Sequence, residues 1–298
     1  MVFEQAIWQL PRSGKIRLAF DWTIEDDQYL LVISLIQHGR AIPIFWRAYN
    51  ERVLKKRMKK YERLMLKRVL KRLLQRVSAK RIILTADRGF ADVETFRLLK
   101  RYNIAFVIRV KSSAMVEISG VWEKLSCIKW EEAENKKHVG SVRYCRSKPE
   151  SLHVSMARLS ESSSANEIWY LVSNRKCSAR KLVDEYSRRF GCEEGFRDIK
   201  WSLGFSEARI KDIKAWSRMF ALCAMAMMAL ASLGSKLLLG EEGKARKLLR
   251  RVVSRRKGKC ELSLINVVIA LVKQERELYA ELNPYIKFNL EKSLQNVS

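Results

Sequence analysis

Three apolar segments fill most of the first fifty residues and predict three consecutive β-strands. The run IRLAFDW covers residues 16–22, QYLLVISLIQHG covers 28–39, and RAIPIFWRAY covers 40–49. These runs are rich in β-branched and aliphatic residues, and only short polar or glycine-containing turns separate them. We therefore expect an antiparallel meander, with Asp21 at the end of its first strand.

Residues 51–81 change to a helical pattern. Apolar side chains recur at helical spacing, at Leu54, Met58, Tyr61, Met65 and Val69. The same segment holds fourteen Lys and Arg residues against two Glu. The pattern predicts one long amphipathic helix whose cationic face is either simply solvated or, as the lack of balancing acids favours, in contact with nucleic acid.

The segment 81–111 reads as a strand, a helix and a second strand. The strand at 81–86 is followed directly by Asp87, the helix spans 93–102, and the next strand spans 104–111. Asp92 is placed to cap the N-terminus of the helix. A unit of this size predicts two parallel strands joined by a right-handed crossover.

The rest of the chain alternates between strand and helix patterns. Short alternating runs in 112–178 predict a small antiparallel insertion, and SESSSANE at 160–167 predicts a flexible loop. Helical character returns over 178–204, with Ser178 as its N-cap. The apolar run at 219–233 follows, and then a basic stretch at 244–259 that has nine Lys and Arg residues and no acid.

This order of elements predicts an α/β fold with an RNase H-like mixed sheet flanked by helices, a β-rich insertion before the last catalytic helix, and a helical C-terminal part. Residues 1–111 are expected to form the first part of the core and 112–178 the insertion. Residues 179–240 then supply the final core helices, and 241–298 form a basic helical C-terminal region.

The charge balance points to an anionic partner. The chain of 298 residues carries 59 Lys and Arg residues against 32 Asp and Glu, a formal net charge of +27. Such a surplus repels itself unless a polyanion neutralises it, so nucleic acid is the first candidate and an anionic membrane surface the second. The 15-residue run at 219–233 is short for a membrane span and predicts a buried core helix instead.

The six cysteines are scattered, without a CxxC or CxxH pair. A structural zinc site is therefore not expected. Because no signal peptide is evident at the N-terminus, we expect reduced thiols in a cytoplasmic protein.

An RNase H-like sheet can carry out phosphodiester chemistry if about three carboxylates converge on a pair of divalent cations. Asp21 and Asp87 follow strands that neighbour each other in this fold. Their rivals are less suitable, because Asp26 and Asp27 fall in the turn before the second strand and Asp92 has a capping role. A single aspartate at a strand end can also simply bond to nearby backbone.

The third carboxylate must come from the helix YSRRFGCEEGFRDIK, which covers residues 186–200. At about 100° per residue, one narrow stripe of this helix holds Tyr186, Arg189, Glu193 and Lys200. Glu194 lies about 100° away from Glu193 and off the stripe. A carboxylate between cations and an aromatic ring suits a metal ligand beside a DNA backbone. The alternative is an intrahelical ion-pair ladder from Arg189 through Glu193 to Arg197.

These residues resemble a known family. The spacing from Tyr186 to Lys200 is similar to the Y-(2)-R-(3)-E-(6)-K signature of IS4-type insertion-sequence DDE transposases. The segment LTADRGFADVETFRLLKRYNIAFVIRVK resembles the family's second-Asp block, and LAFDWT resembles its first. The resemblance covers about residues 15–235.

The resemblance implies a metal-dependent transposase that cleaves and joins DNA strands in cut-and-paste transposition. The implied catalytic and metal-binding triad is Asp21, Asp87 and Glu193. The implied DNA contacts are Tyr186, Arg189, Arg197 and Lys200. An insertion-domain tryptophan can hold a flipped base in some relatives, and Trp122 and Trp130 lie in that region, although a packing role in the insertion is the favoured explanation.

The resemblance also implies cofactors and partners. A two-metal site for Mg²⁺ is expected, with Mn²⁺ fitting the same ligands, because none of the three histidines, His38, His138 and His153, joins the carboxylates. The expected partner is double-stranded DNA, both transposon end and target, bound by a homodimer assembled on the DNA. A prokaryotic, nucleoid-associated location in the cytoplasm and no membrane contact complete the expectation.

One departure from the family keeps alternatives open. Members usually carry a helical region before the first Asp, whereas 20 residues precede Asp21 here. The chain is therefore either an active transposase that recognises DNA through its basic segments, or a truncated or repurposed copy that binds DNA without autonomous transposition. A nuclease or resolvase on the same fold is a third reading.

Overall fold

The structure is a computed structural model that describes residues 13–37, 39–130, 135–158 and 167–239, with Ile7, Leu10 and Val268 in addition. Side chains are described as far as residue 233 of the last helix. The predicted loop at 160–167, except for Glu167, lies outside these residues. The same holds for His38, the basic stretch at 244–259 and the C-terminal region 241–298, apart from Val268.

The described residues build one mixed sheet of ten strands with helices on both faces. The sheet order is β3-β2-β1-β4-β5-β10-β9-β8-β6-β7. The strands are β1 Ile16–Glu25, β2 Gln28–Gln37, β3 Arg40–Asn50, β4 Ile82–Ala86, β5 Ala105–Val110, β6 Met115–Ile118, β7 Val121–Lys124, β8 Lys136–Tyr144, β9 Glu150–Arg158 and β10 Ile168–Ser173. The helices are α1 Glu51–Leu54, α2 Met58–Leu73, α3 Val93–Arg101, α4 Ala179–Ser187, α5 Phe190–Arg197 and α6 Ile213–Leu239.

The predicted meander is confirmed, since β1 pairs with β2 and β2 with β3, both antiparallel. The crossover strands are also as predicted, because β4 lies parallel to β1 and β5 parallel to β4. Pro43 fits this topology because β3 is an edge strand, where a missing backbone N–H costs least. The α/β, RNase H-like fold class is therefore confirmed.

Alternation along β1 decides which face each element covers. Arg17 reaches Glu185 of α4, and Asp21 reaches Arg189 between α4 and α5, so these side chains share one face. Trp22 points to the other face, where its indole meets Glu62 of α2. Helices α2 and α3 thus lie on one side of the sheet, and α4 and α5 on the other.

The long basic helix predicted over 51–81 is interrupted. Helix α1 ends at Leu54, and α2 begins at Met58 after a turn in which Lys56 has a φ of 60°. A left-handed residue of this kind ends a helix because its carbonyl can no longer continue the ladder. Within α2 the predicted apolar stripe is nonetheless used, since Met65 and Val69 are buried against the sheet.

The helix predicted over 178–204 is also broken into parts. Ser178 caps α4 as predicted, accepting a hydrogen bond from the backbone N–H of Lys181 at 3.4 Å. The chain then turns at residues 188–189, forms α5, and continues as a π-helix over Asp198–Ser202. This widened turn changes where residues after Arg197 point.

The strands predicted for the insertion extend the core sheet. β10 pairs antiparallel with β5 on one side and with β9 on the other, so the sheet runs without a gap from the core into residues 115–158. The predicted division into four parts stays a prediction, because a continuous sheet neither marks nor excludes it.

The apolar run at 219–233 belongs to a helix longer than predicted. Helix α6 has 27 residues, and its segment Ile213–Leu233 is long and apolar enough to cross a membrane by length and composition. Phe220 packs against Trp46 of β3 at 5.2 Å between ring centroids, while Leu222 is 59% exposed. The length argument against a membrane span was therefore wrong. The core-helix interpretation holds for one face of α6 only.

Candidate active site

Asp21 lies inside β1 rather than at its end, because β1 continues to Glu25 through its pairing with β2. The parallel pairing with β4, however, stops at Phe20 opposite Ala86. Asp21 and Asp87 are therefore the first residues beyond that paired stretch on adjacent strands. The predicted end of β1 was wrong because β1 pairs with β2 as far as Glu25 but with the shorter β4 only as far as Phe20.

Asp87 follows β4 and starts the short 3₁₀ turn Arg88–Phe90. Its backbone carbonyl accepts from the N–H of Phe90 at 2.9 Å, which fixes the turn. Its carboxylate accepts a hydrogen bond from the hydroxyl of Tyr186 at 3.2 Å. The last residues of α4 are thus tied to the end of β4.

Arg189 lies between two of the candidate carboxylates. Its Nη1 is 2.8 Å from Oδ2 of Asp21, and its Nη2 is 3.2 Å from Oε1 of Glu193. The Arg189 residue is only 7% exposed. One buried guanidinium therefore bridges a strand and a helix that are 168 residues apart in the chain at the Asp21 contact.

Tyr186 is held from behind by an aromatic contact. It is 1% exposed, and Trp169 of β10 packs edge-on against its ring at 5.0 Å between centroids. Burial raises the pKa of the Tyr186 phenol to about 12. The hydroxyl therefore stays protonated and remains a donor to Asp87.

The fold shifts the pKa of the Asp21 carboxyl strongly, from an ordinary 3.8 to about 6. Burial is the largest cause of this rise, and the charges of Asp87 and Glu193 contribute to it. Arg189 and the N–H of Trp22, 2.9 Å from Oδ1, work in the opposite direction. Asp87 and Glu193 are thus close enough to Asp21 to repel its charge.

Arg189 itself stays charged. Burial lowers the pKa of its guanidinium, but Tyr186, Asp21 and Asp87 raise it by more, so the net pKa lies above the ordinary 12.5. The buried Cys192 thiol nearby has its pKa raised well above 9.0 by burial, and it remains a neutral thiol. Cys192 is therefore not a thiolate ligand at neutral pH.

Lys200 and Arg197 pair with acids outside the candidate triad. Lys200 is on the π-helix, and its Nζ donates to the carbonyl of Ile24 and pairs with Glu25, both at 2.8 Å. The predicted ladder forms only in its first half, because Arg197 pairs with Glu194 at 2.8 Å. Glu194 thus points away from Arg189, as the helical spacing predicted.

The rival aspartates have other partners. Asp26 and Asp27 lie in the exposed turn between β1 and β2, as predicted. Asp92 occupies the N-cap position of α3, but its side chain makes no capping hydrogen bond. It pairs instead with Arg63 at 2.6 Å and accepts from Thr95 at 3.2 Å, so the capping prediction was wrong for the side chain.

Several supporting contacts have no signal in the sequence. Asp198 is 2% exposed and pairs with Arg40 at 2.9 Å, which fixes the π-helix against the start of β3. Glu62, 1% exposed, accepts from the indole of Trp22 at 3.0 Å and pairs with Lys59 at 2.8 Å. Only Arg17 could have been anticipated, since alternation along β1 places it on the face of Asp21.

The insertion residues lie apart from the carboxylates in sequence and sheet position. The guanidinium of Arg158 stacks over Trp130 at 4.7 Å, which favours a packing role for this tryptophan. Trp122 is on β7, at the far edge of the sheet. His138 and His153 face each other on β8 and β9, with ring centroids 6.3 Å apart.

The donor set fits a hard divalent cation, since Asp21, Asp87 and Glu193 supply carboxylate oxygens alone. Among the described residues, however, no group of three or more Asp, Glu, His or Cys side chains is arranged to hold a metal ion. The physical reason is that the guanidinium of Arg189 already lies between the carboxylates of Asp21 and Glu193. A metal ion would have to take over carboxylate oxygens that now accept from Arg189.

A family model described as Transposase DDE domain matches residues 53–229, which is more than half of the chain. Asp87 and Glu193 lie within the matched range, and Asp21 precedes it. No curated protein matches the sequence.

Proposed function

The chain belongs to the Transposase DDE domain family, and from this premise we propose that it is a metal-dependent DNA transposase of the IS4 type, which cuts and joins DNA strands. The observation that carries this proposal is the cluster of Asp21, Asp87 and Glu193 around the Arg189 guanidinium. The proposed localisation is the prokaryotic cytoplasm, associated with the nucleoid.

In this proposal the three carboxylates hold Mg²⁺, or Mn²⁺, in a two-metal site. When bound, the metal pair supplies activation of the attacking oxygen and stabilisation of the leaving oxygen at a phosphodiester. Cations held there would also offset the repulsion from Asp87 and Glu193, which adds to the effect of burial on the pKa of Asp21. Tyr186 orients Asp87 through its hydroxyl, and it remains a donor because its pKa is high.

Arg189 has a second role in this proposal. Its buried guanidinium contacts one carboxylate with each of its two terminal nitrogens. The same planar group can bind two oxygens of one phosphate. It would neutralise Asp21 and Glu193 before metal binds, and turn to a DNA phosphate afterwards. Lys200 and Arg197 would bind neighbouring phosphates. A homodimer assembled on transposon end and target DNA, without membrane contact, completes the proposal.

A second candidate function is DNA binding without cleavage. The observation that favours it is the lack, among the residues described, of a ready-made metal-binding group. It predicts salt-sensitive binding of duplex DNA and no metal-dependent nicking.

A nicking assay distinguishes the two. Purified protein is incubated with Mg²⁺ and a supercoiled plasmid that carries the DNA flanking this reading frame. Glu193→Gln is expected to lose at least about 100-fold in nicking rate while duplex binding persists, since one metal-binding carboxylate is removed. The matched control, Glu194→Gln, lies on the next position of α5 and pairs outward with Arg197, so it should nick like the parent. Equal losses in both variants, or a parent that binds but never nicks, would contradict the transposase proposal.

A further inference from the structure

A groove runs between α2 and the edge strand β3, on the sheet face opposite to Arg189. Its cavity measures about 490 Å³, and its walls include Arg47 and Tyr49 of β3 and Tyr61, Lys67, Arg68 and Lys71 of α2. Because β3 is the outermost strand, one wall of this groove belongs to the rim of the sheet.

The groove is lined by cations without acids. Five of its lining residues are Lys or Arg, and none is Asp or Glu. Nearer the start of α2, two cations are paired with acids, Lys59 with Glu62 and Arg63 with Asp92. Within the described part of the chain, Lys67, Arg68 and Lys71 have no acidic partner within ion-pair distance. This surface is therefore complementary to a polyanion.

The floor of the groove is aromatic and contacts the guanidinium of Arg47. Tyr49 is 6% exposed, its ring lies 4.8 Å from that of Tyr61, and the guanidinium of Arg47 lies over it at 5.6 Å. The side chains of Lys67, Arg68 and Lys71 are exposed along the rim. A rigid aromatic floor with an exposed row of cations suits a phosphate backbone, whose charges repeat along a line, better than one small anion.

The groove is coupled by α2 to the edge that carries the carboxylates. Lys59, in the first turn of α2, contacts the carbonyl of Gly89, two residues after Asp87. Lys67 and Lys71 follow Lys59 by about 8 and 12 residues, which is about 12–18 Å along a helix. Duplex DNA rises 3.4 Å per base pair, so this distance corresponds to about four to five base pairs.

We propose that the α2–β3 groove binds the phosphate backbone of duplex DNA about four to five base pairs along α2 from the phosphodiester held near Asp87. The groove would thus hold DNA that flanks the cleavage position and makes no contact with the carboxylates. The inference rests on the proposed action on DNA, but it does not require that cleavage occurs.

The test measures binding of labelled duplexes of 8, 16 and 30 base pairs by fluorescence anisotropy in EDTA, with salt titrations. The variant Arg68→Glu/Lys71→Glu is compared with Arg180→Glu/Lys181→Glu, which makes the same charge change at exposed positions of α4, on the opposite face of the sheet. Circular dichroism and thermal unfolding show whether both variants are folded. If Arg68→Glu/Lys71→Glu does not fold, Arg68→Gln/Lys71→Gln replaces it in the binding test.

The groove variant is expected to bind the 30-base-pair duplex about 10- to 100-fold more weakly than the parent. Its plot of log affinity against log salt should be shallower by about two, because two phosphate contacts are lost. The weakening should appear with all three duplexes, because even 8 base pairs, about 27 Å of duplex, can reach the groove. The α4 variant should stay within about twofold of the parent. These magnitudes follow from counterion release and assume one phosphate per cation.

Three outcomes would overturn the inference. Equal losses in the groove and α4 variants would show an effect of net charge alone. Parent-like binding of long DNA by the groove variant would show that the groove does not touch it. A loss confined to an RNA duplex of the same length would assign the groove to a different partner. Failure of the proposed function gives a different result. In that case the parent protein does not nick DNA, but its binding to duplex DNA still depends on Arg68 and Lys71.

Discussion

Replacing Asp21 by Asn should stabilise the metal-free protein above neutral pH. Burial raises the pKa of the Asp21 carboxyl from 3.8 to about 6. Since a tenfold change in proton affinity is about 1.4 kcal/mol, the ionised carboxylate is disfavoured by about 3 kcal/mol in the folded protein relative to the unfolded chain. Asn imitates the protonated side chain and removes that penalty.

The sign of the pH dependence follows from the raised pKa. The folded protein binds the Asp21 proton more tightly than the unfolded chain, so the parent loses stability as the pH rises from about 4 through about 6. The variant has no such group. Its free energy of unfolding should be close to that of the parent at pH 4 and about 3 kcal/mol higher at pH 8.

The measurement is urea unfolding in EDTA at pH 4, 6 and 8, followed by circular dichroism. Asp27→Asn, in the exposed turn after β1, is the matched control and should follow the parent at every pH. Adding Mg²⁺ at pH 8 should stabilise the parent more than Asp21→Asn, because the parent keeps all three carboxylates for the metal. An Asp21→Asn variant that is less stable than the parent at pH 8 would refute the reasoning. It would mean that the pairing with Arg189 outweighs the cost of burial.

Two further predictions test the packing around the site. Adding a Cβ at Gly195 would place it 2.5 Å from the backbone oxygen of Ala41, so Gly195→Ala should cost at least about 1–3 kcal/mol in urea unfolding. Gly191→Ala, whose nearest contact would be 3.2 Å, should cost less, and equal costs would show that α5 can move off β3. Trp22→Phe removes the hydrogen bond to buried Glu62 and should cost about 1–3 kcal/mol. An unchanged thermal midpoint would show that this bond contributes nothing net.

The local patterns of this chain were readable from the sequence, because period and spacing are local properties. The meander, the strand–helix–strand unit and the cap at Ser178 depend on residues a few positions apart. The stripe from Tyr186 to Glu193 was readable for the same reason, and Arg189 does meet Glu193 at 3.2 Å. The spacing could not foresee the turn at 188–189 or the π-helix, since both depend on how α5 packs on β3.

Only the tertiary structure decided that Arg189 lies between the carboxylates. The sequence predicted three acids at one edge of a sheet and placed Arg189 beside one of them as a contact to DNA. Only the packing of α4 and α5 on β1 brings Arg189 onto Asp21, 168 positions away, and only burial raises the pKa of that carboxyl to about 6. The sequence by itself determined which side chains could carry out the chemistry. The fold decided that the buried guanidinium of Arg189 pairs with Asp21 and Glu193, because the largely buried Asp21 carboxylate needs a cation beside it when it is ionised.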